Sequence, residues 1–244
     1  CKCQQIQTGR KGLLMKVILK ITRFDPEKEK EPHIDSFEME AAKNMSVLEA
    51  LFHIMENVDG SLSFRYSCRG AVCGSCAMYI NGKQRLACQT LIGTLKHKII
   101  TIEPLPHLKV IKDLVVDMTP FFDKYESIKP YMICHGKTTE KEIKQTVKNR
   151  EKIDEMTKCI LCGACFSACT MAYLHSEFLG PAALTKAYRF VADSRDEGAK
   201  ERLELVGGEN GVLRCHTLFN CAEVCPKEIV PTYSIQKLKG RLVS

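Results

Sequence analysis

The sequence predicts an α+β chain of two unlike halves, a small sheet-based domain followed by a mostly helical one. Three observations carry that prediction. Near the start, apolar and polar residues alternate as in a half-buried strand, with Val17, Leu19 and Ile21 set against Lys16, Lys20 and Thr22. From Cys159 onward the chain reads as helical segments separated by Gly and Pro. Eleven of the 14 cysteines fall into tight runs, and the spacing of those runs differs between the halves.

The elements follow in order. Residues 1–14 read as an unanchored leader. Met15 opens the first strand, Asp25 to Pro32 is a charged turn, and Ser36 to Met39 returns as a second strand. Ser46-Val47-Leu48-Glu49 is a capping box. It starts a helix whose apolar face is Val47, Leu48, Leu51, Phe52 and Met55. A cysteine loop comes next, then a strand over Ala77 to Ile80. Asn81-Gly82 signals a tight hairpin, and Lys98 to Ile102 is a further strand. Strands wrapped around one helix with a cysteine loop predict a β-grasp domain over residues 15–106. Residues 107–136 read as a connector with a short helix near Met118 to Tyr125. A helical domain occupies 137–244, with helices from Gly180 to Phe190 and from about Thr232 to Leu242, and a break at Gly207-Gly208.

Composition narrows the function. The chain has 244 residues, room for two ordinary domains, and a formal charge of +7. Its lysines are spread rather than striped, which speaks for a solvated surface and against nucleic acid; a basic face toward an acidic partner or anionic lipid is the other reading. No run of about eighteen apolar residues exists to span a bilayer. No exportable apolar stretch opens the chain, so the cysteines are read as reduced and metal-binding rather than paired in disulfides.

Cys68-x4-Cys73-x2-Cys76 with a later Cys88 has the plant-type [2Fe–2S] spacing. Thiolate ligands need surroundings that favour their charge, and a short cysteine loop can turn its backbone N–H groups onto the sulfurs. Gly70 and Gly74 in this loop, and Gly163 further on, allow close approach. Cys159-x2-Cys162-x2-Cys165-x3-Cys169 is the bacterial ferredoxin run, whose fourth cysteine ligates the other cluster. Laid on that frame, the second run reads Cys215, Leu218, Cys221 and Cys225. The cross-over assigns Cys159, Cys162, Cys165 and Cys225 to one [4Fe–4S] cluster. It leaves Cys169, Cys215 and Cys221 for the other, with Leu218 at the fourth corner. Three thiolates predict a [3Fe–4S] cluster; the alternative is a [4Fe–4S] cluster with water on one iron, which a dry apolar corner at Leu218 disfavours. A structural zinc protein is the competing reading, but zinc sites pair two C-x2-C knuckles and do not need this run. Cys134, Cys1 and Cys3 are read as bystanders.

Several stretches resemble the iron–sulfur subunit family of succinate dehydrogenase and fumarate reductase. They are Ser67-Cys68-Arg69, Cys73-Gly74-Ser75-Cys76-Ala77, Leu86-Ala87-Cys88, Lys112-Asp113-Leu114, Gly180-Pro181, Asp193-Ser194-Arg195-Asp196, Arg214-Cys215-His216 and Cys225-Pro226-Lys227. The match runs from about Met15 to Leu242. It implies a plant-type ferredoxin domain, then a helical bacterial-type one, carrying one [2Fe–2S], one [4Fe–4S] and one [3Fe–4S] cluster in the assignment above. It also implies partners: a flavoprotein whose FAD interconverts succinate and fumarate, and membrane-anchor subunits, with any haem confined to partners. Electrons would then pass to a quinone beside the three-cysteine end, and the chain would sit peripherally on the cytoplasmic face of the membrane. No catalytic acid–base residue is expected in this chain. A wire subunit of another flavin system, such as a thiol-linked fumarate reductase, is the alternative.

The resemblance sets Thr170, Leu174, His216 and Leu218 near the quinone. For His216 two readings stand, a quinone hydrogen bond or a histidine packed beside the cluster. Three departures from the family pattern are visible. Ala71 stands where the family has glycine, so a rearranged loop is expected. Thr170 stands where many relatives have proline. Leu174 stands where ubiquinone-reducing members carry tryptophan, which leans toward menaquinone.

Overall fold

The structure is a computed structural model that describes residues 14–136 and 141–243. The leader expected at 1–14, with Cys1 and Cys3, lies outside the described residues except for Leu14.

Leu14–Arg23 (β1) and His33–Ala42 (β2) pair antiparallel from end to end. The helix Val47–Asn57 (α1) starts at the expected capping box. The Ser46 hydroxyl accepts the Glu49 N–H at 3.2 Å, and the Glu49 carboxylate accepts the Ser46 N–H at 2.7 Å. Its buried stripe is Val47, Leu48, Ala50, Leu51 and Ile54, while Phe52 and Met55 are only partly covered. Each fully buried aliphatic side chain there contributes roughly 1.5–3 kcal/mol.

Ala77–Ile80 (β3) turns at Asn81 and Gly82, both left-handed with φ of 46° and 74°, into Lys83–Leu86 (β4). That double left-handed pair matches the right-handed twist of the two strands. After the short helix Ile92–Leu95 (α2), Ile99–Glu103 (β5) runs parallel to β1 and antiparallel to β3. The five-stranded order β2-β1-β5-β3-β4 wraps α1 and closes one apolar core around Leu19, Ile21, Ile80, Ile100 and Ile102.

The chain then makes a hairpin that the sequence did not announce, Val110–Lys112 (β6) and Val115–Val116 (β7), and the helix Thr119–Ser127 (α3). The C-terminal half is helical: Val147–Thr157 (α4), Ala164–Ser167 (α5), Thr170–Leu174 (α6), Gly180–Val191 (α7), Ala199–Gly207 (α8), a 3₁₀ turn at Val212–Arg214, Asn220–Glu223 (α9) and Pro231–Leu242 (α10).

Two buried arginines pin the segment between the halves. Arg23, at the end of β1, meets Asp35, Asp59 and Asp113, and Asp113 also accepts the N–H groups of Phe24 and Ser63. Arg202 on α8 pairs with Asp196 and donates to the carbonyls of Lys129 and Tyr131. The motif residues Asp113 and Asp196 thus anchor backbone. Removing one partner of such a buried pair costs about 3–5 kcal/mol, because the other charge is left desolvated.

Candidate metal centres

The first centre is built on the loop before β3. Arg69 and Ala71 are both left-handed, with φ of 55° and 57°. Alternating left- and right-handed residues turn successive N–H groups to one side, a backbone nest for negative charge. The Cys68 sulfur accepts the N–H groups of Gly70, Val72 and Cys73 at 3.4, 3.3 and 3.2 Å. The Cys68 N–H in turn reaches the Cys73 sulfur at 3.5 Å. Burial raises the Cys73 pKa, but hydrogen bonds from Ser75 and the Cys68 N–H outweigh it and bring the thiol down to about 6. Cys76, at the foot of β3, is buried and pushed up to about 12; Cys88, just past β4, is hydrogen-bonded to it. The four thiols therefore stand as two pairs, Cys68 with Cys73 and Cys76 with Cys88, which fits two thiolates for each of two irons. Ala71 stands in the left-handed region that glycine takes without strain, and the neighbouring Gly70 does not.

The helical half divides its seven run cysteines between two cavities. Cys159, Cys162, Cys165 and Cys225 line one cavity, with Phe121, Ala182 and Ile229 on its walls. Cys169, Cys215 and Cys221 line another, with Leu218, His216 and Thr170. Both loops repeat the alternation of the first. Leu161 and Gly163 are left-handed around Cys162, and Thr217 and Phe219 around Leu218. N–H groups of Met171 and Ala172 reach Cys169, and those of Lys227 and Ile229 reach Cys225. Burial pushes Cys162 up to about 11 and holds Cys165 well above the ordinary thiol value, with neighbouring thiols adding to both. Ligation to iron is what makes such thiols thiolates. Among the described residues, no three His, Cys, Asp or Glu side chains converge tightly enough to hold a single metal ion; these sets are spread around a space.

The sheet loop and the first helical loop touch. A Cβ added to Gly74 would lie 2.8 Å from Cys162 Cβ and 2.9 Å from the Ile160 carbonyl. Only glycine lets these two cysteine loops pack backbone to backbone.

Around the three-cysteine cavity, Leu218 is 56% exposed, and His216 and Thr170 also face outward. The corner expected to be dry is apolar but open: residues 216–219 are all exposed among the described residues. Leu174, at the end of α6, is exposed beside the cavity and does not line it. Thr232 of α10 was not anticipated; it is buried, and its hydroxyl lies 3.5 Å from the Cys221 sulfur. Nothing in its sequence surroundings marks it. Cys134 is exposed and far in sequence from every run, its sulfur near the Arg195 carbonyl.

A sheet domain with one nested cysteine loop, joined to a helical half with two cysteine-lined cavities, defines an iron–sulfur electron carrier. A family profile described as a 2Fe-2S iron-sulfur cluster binding domain matches residues 18–123, and one described as a 4Fe-4S dicluster domain matches residues 155–229. The chain is 40% identical over 225 residues to the succinate dehydrogenase iron-sulfur subunit of Paracoccus denitrificans, covering 91% of this chain and 86% of that one. It is also 40% identical over 233 residues to the fumarate reductase iron-sulfur subunit of Haemophilus influenzae, covering 91% of each. A solved chain of the Mycobacterium smegmatis Sdh1 complex in the apo form superposes with a TM-score of 0.86 at 25% identity, over 94% of this chain and 96% of that one.

The chain belongs to the family of iron–sulfur subunits of succinate dehydrogenase and fumarate reductase. It is an electron-transfer subunit of an oxidoreductase complex, with [2Fe–2S] and [4Fe–4S] domains. The family works with a flavoprotein and membrane-anchor subunits, and no described helix here is long and apolar enough to cross a membrane.

Proposed function

We propose that the chain carries electrons between a FAD-bearing succinate/fumarate subunit and a membrane quinone, using three clusters held as the spacing assigns. Cys68, Cys73, Cys76 and Cys88 hold the [2Fe–2S] cluster. Cys159, Cys162, Cys165 and Cys225 hold the [4Fe–4S] cluster, and Cys169, Cys215 and Cys221 hold a [3Fe–4S] cluster. When bound, these groups supply one-electron carriers. The chain's own part is to aim N–H groups at the sulfurs, exclude water and keep the loops packed, as Gly74 does against Cys162. Residues 15–106 form the first module and 137–244 the second, joined by 107–136.

The observation that carries this reading is the four-and-three division of the cysteines between two cavities, with Leu218 in the lining where the frame would place a fourth cysteine. The exposed apolar rim at Leu174, Leu213, Leu218 and Phe219 supports docking of an anchor subunit there, with the quinone beside His216, Thr170, Leu174 and Leu218. Leu174 in place of tryptophan supports menaquinone, and the complex sits on the cytoplasmic face of the membrane.

The EPR spectrum of the air-oxidised complex tests it. A sharp [3Fe–4S] signal in the oxidised state is expected. A diamagnetic oxidised complex that gains only [2Fe–2S] and [4Fe–4S] signals on reduction would mean a fourth ligand reaches the third cluster, and the assignment around Leu218 would be wrong.

A further inference from the structure

Lys186 is a cation beside the four-cysteine cavity that the cluster assignment does not use. It lies on α7 four residues after Ala182, which lines the four-cysteine cavity, so the two share a helix face. Its side chain is mostly withdrawn from water and lies close to the cluster loop. Among the described residues the ammonium reaches two acceptors, the carbonyls of Met156 at 3.4 Å and of Cys159 at 3.5 Å. Both contacts are long for a charged donor, which ordinarily bonds at about 2.7–2.9 Å. No carboxylate among the described residues pairs with it.

A desolvated ammonium without a counter-charge is expensive, and buried lysines either find an anion or lose their proton. The nearest negative charge belongs to the cysteines. Burial lowers the Lys186 pKa and Arg189 on the same helix adds to that, while the negative charge at Cys159 works against it. Four thiolates around an iron–sulfur core carry net negative charge, and adding an electron increases it. A fixed cation on the carbonyl of one ligand therefore favours the reduced form over the oxidised one; Lys227, which lines the same cavity, is a second cation beside it.

We propose that Lys186 is the counter-ion of the four-cysteine centre and raises its reduction potential relative to the other two centres. This rests on the assignment of a [4Fe–4S] cluster to Cys159, Cys162, Cys165 and Cys225. Lys186 acts through space and through the Cys159 carbonyl; it binds neither iron nor substrate.

The test is an EPR-monitored redox titration of the whole complex with Lys186→Met, Lys186→Gln and Lys186→Arg. In the two neutral variants, the reduced-to-oxidised ratio of the [4Fe–4S] cluster at a fixed ambient potential should fall on the order of tenfold, about 59 mV for a one-electron couple. The [2Fe–2S] and [3Fe–4S] midpoints should stay in place, and Lys186→Arg should hold the native value. An unshifted [4Fe–4S] midpoint in both neutral variants overturns the proposal. So does an equal shift at all three centres, or loss of the [4Fe–4S] signal in both neutral variants with a normal Lys186→Arg protein; either result would make Lys186 a structural prop. A wild-type complex without any [4Fe–4S] signal would overturn the cavity assignment first, and that outcome is read before any variant is made.

Discussion

The two halves solve the same problem in opposite ways. In the sheet half one continuous apolar core forms between α1 and the five strands, and the first cysteine loop hangs from its edge. Cys68 is exposed and Cys73 half-buried; of this half's cluster-run cysteines Cys76 and Cys88 touch the core, and Cys162 of the helical half packs against it as well. In the helical half the apolar residues fall into three smaller clusters. Cys169 and Cys215 pack on one and Cys165 on another, and the spaces between helices are the cysteine-lined cavities themselves. The sheet half carries its cluster, whereas the helical half is built around its clusters.

The largest expected effect breaks that contrast open. Cys165→Ala removes a thiol that lines the four-cysteine cavity, so on the proposed assignment the energy of cluster binding is lost from folding there. Limited proteolysis should cut the helical half at least tenfold faster than in the parent, equivalent to about 1.4 kcal/mol or more of lost local stability. The [2Fe–2S] EPR signal should persist. If both halves became equally sensitive, the independence of the sheet core would be wrong.

A smaller effect is expected where the halves meet. Gly74→Ala puts a methyl group into Cys162 and the Ile160 carbonyl, at a backbone φ of 76°. Overpacking and left-handed strain together should cost on the order of 2–4 kcal/mol. Because the clash is with the other half, the two loops should be pushed apart. Denaturant unfolding followed at cluster absorbance should then show a broadened or split transition. A single transition with an unchanged midpoint would show that the two loops do not depend on this contact.

What was legible in the sequence follows the same division. The capping box at Ser46, the Asn81-Gly82 turn and the alternation in β1 are local signals, and each is found where it was expected. β2 is longer than expected because cross-strand pairing with β1 extends it to ten residues. The cross-over arithmetic of the runs matches how the cavities collect their cysteines. Three features were not legible. β6 and β7 are three and two residues long, too short for alternation to register. Nothing local marks Arg23 and Arg202 as buried, because partners that bury them come from distant parts of the chain. Left-handed residues at Arg69, Ala71, Leu161, Thr217 and Phe219 run against propensity, since only glycine takes that region without strain.

Those left-handed positions permit the finest comparison of the halves. Ala71 and Leu161 have nearly the same backbone, φ of 57° and 53°, one in each kind of loop. Glycine at either position relieves about 1–2 kcal/mol of left-handed strain and returns roughly 0.5–1 kcal/mol through the freer unfolded chain. The remaining difference is the side chain. The Ala71 methyl is only partly covered against the sheet core, so Ala71→Gly should leave stability within about 0.5 kcal/mol of the parent. Leu161 packs against the cluster of Phe121, Phe166 and Ala182, so Leu161→Gly should cost about 1 kcal/mol net. Paired thermal melts of the cluster-loaded protein measure the gap. Equal shifts at the two positions would mean that the helical loop draws no stability from its neighbours, and the contrast between a carried cluster and a built-in one would fail at its smallest scale.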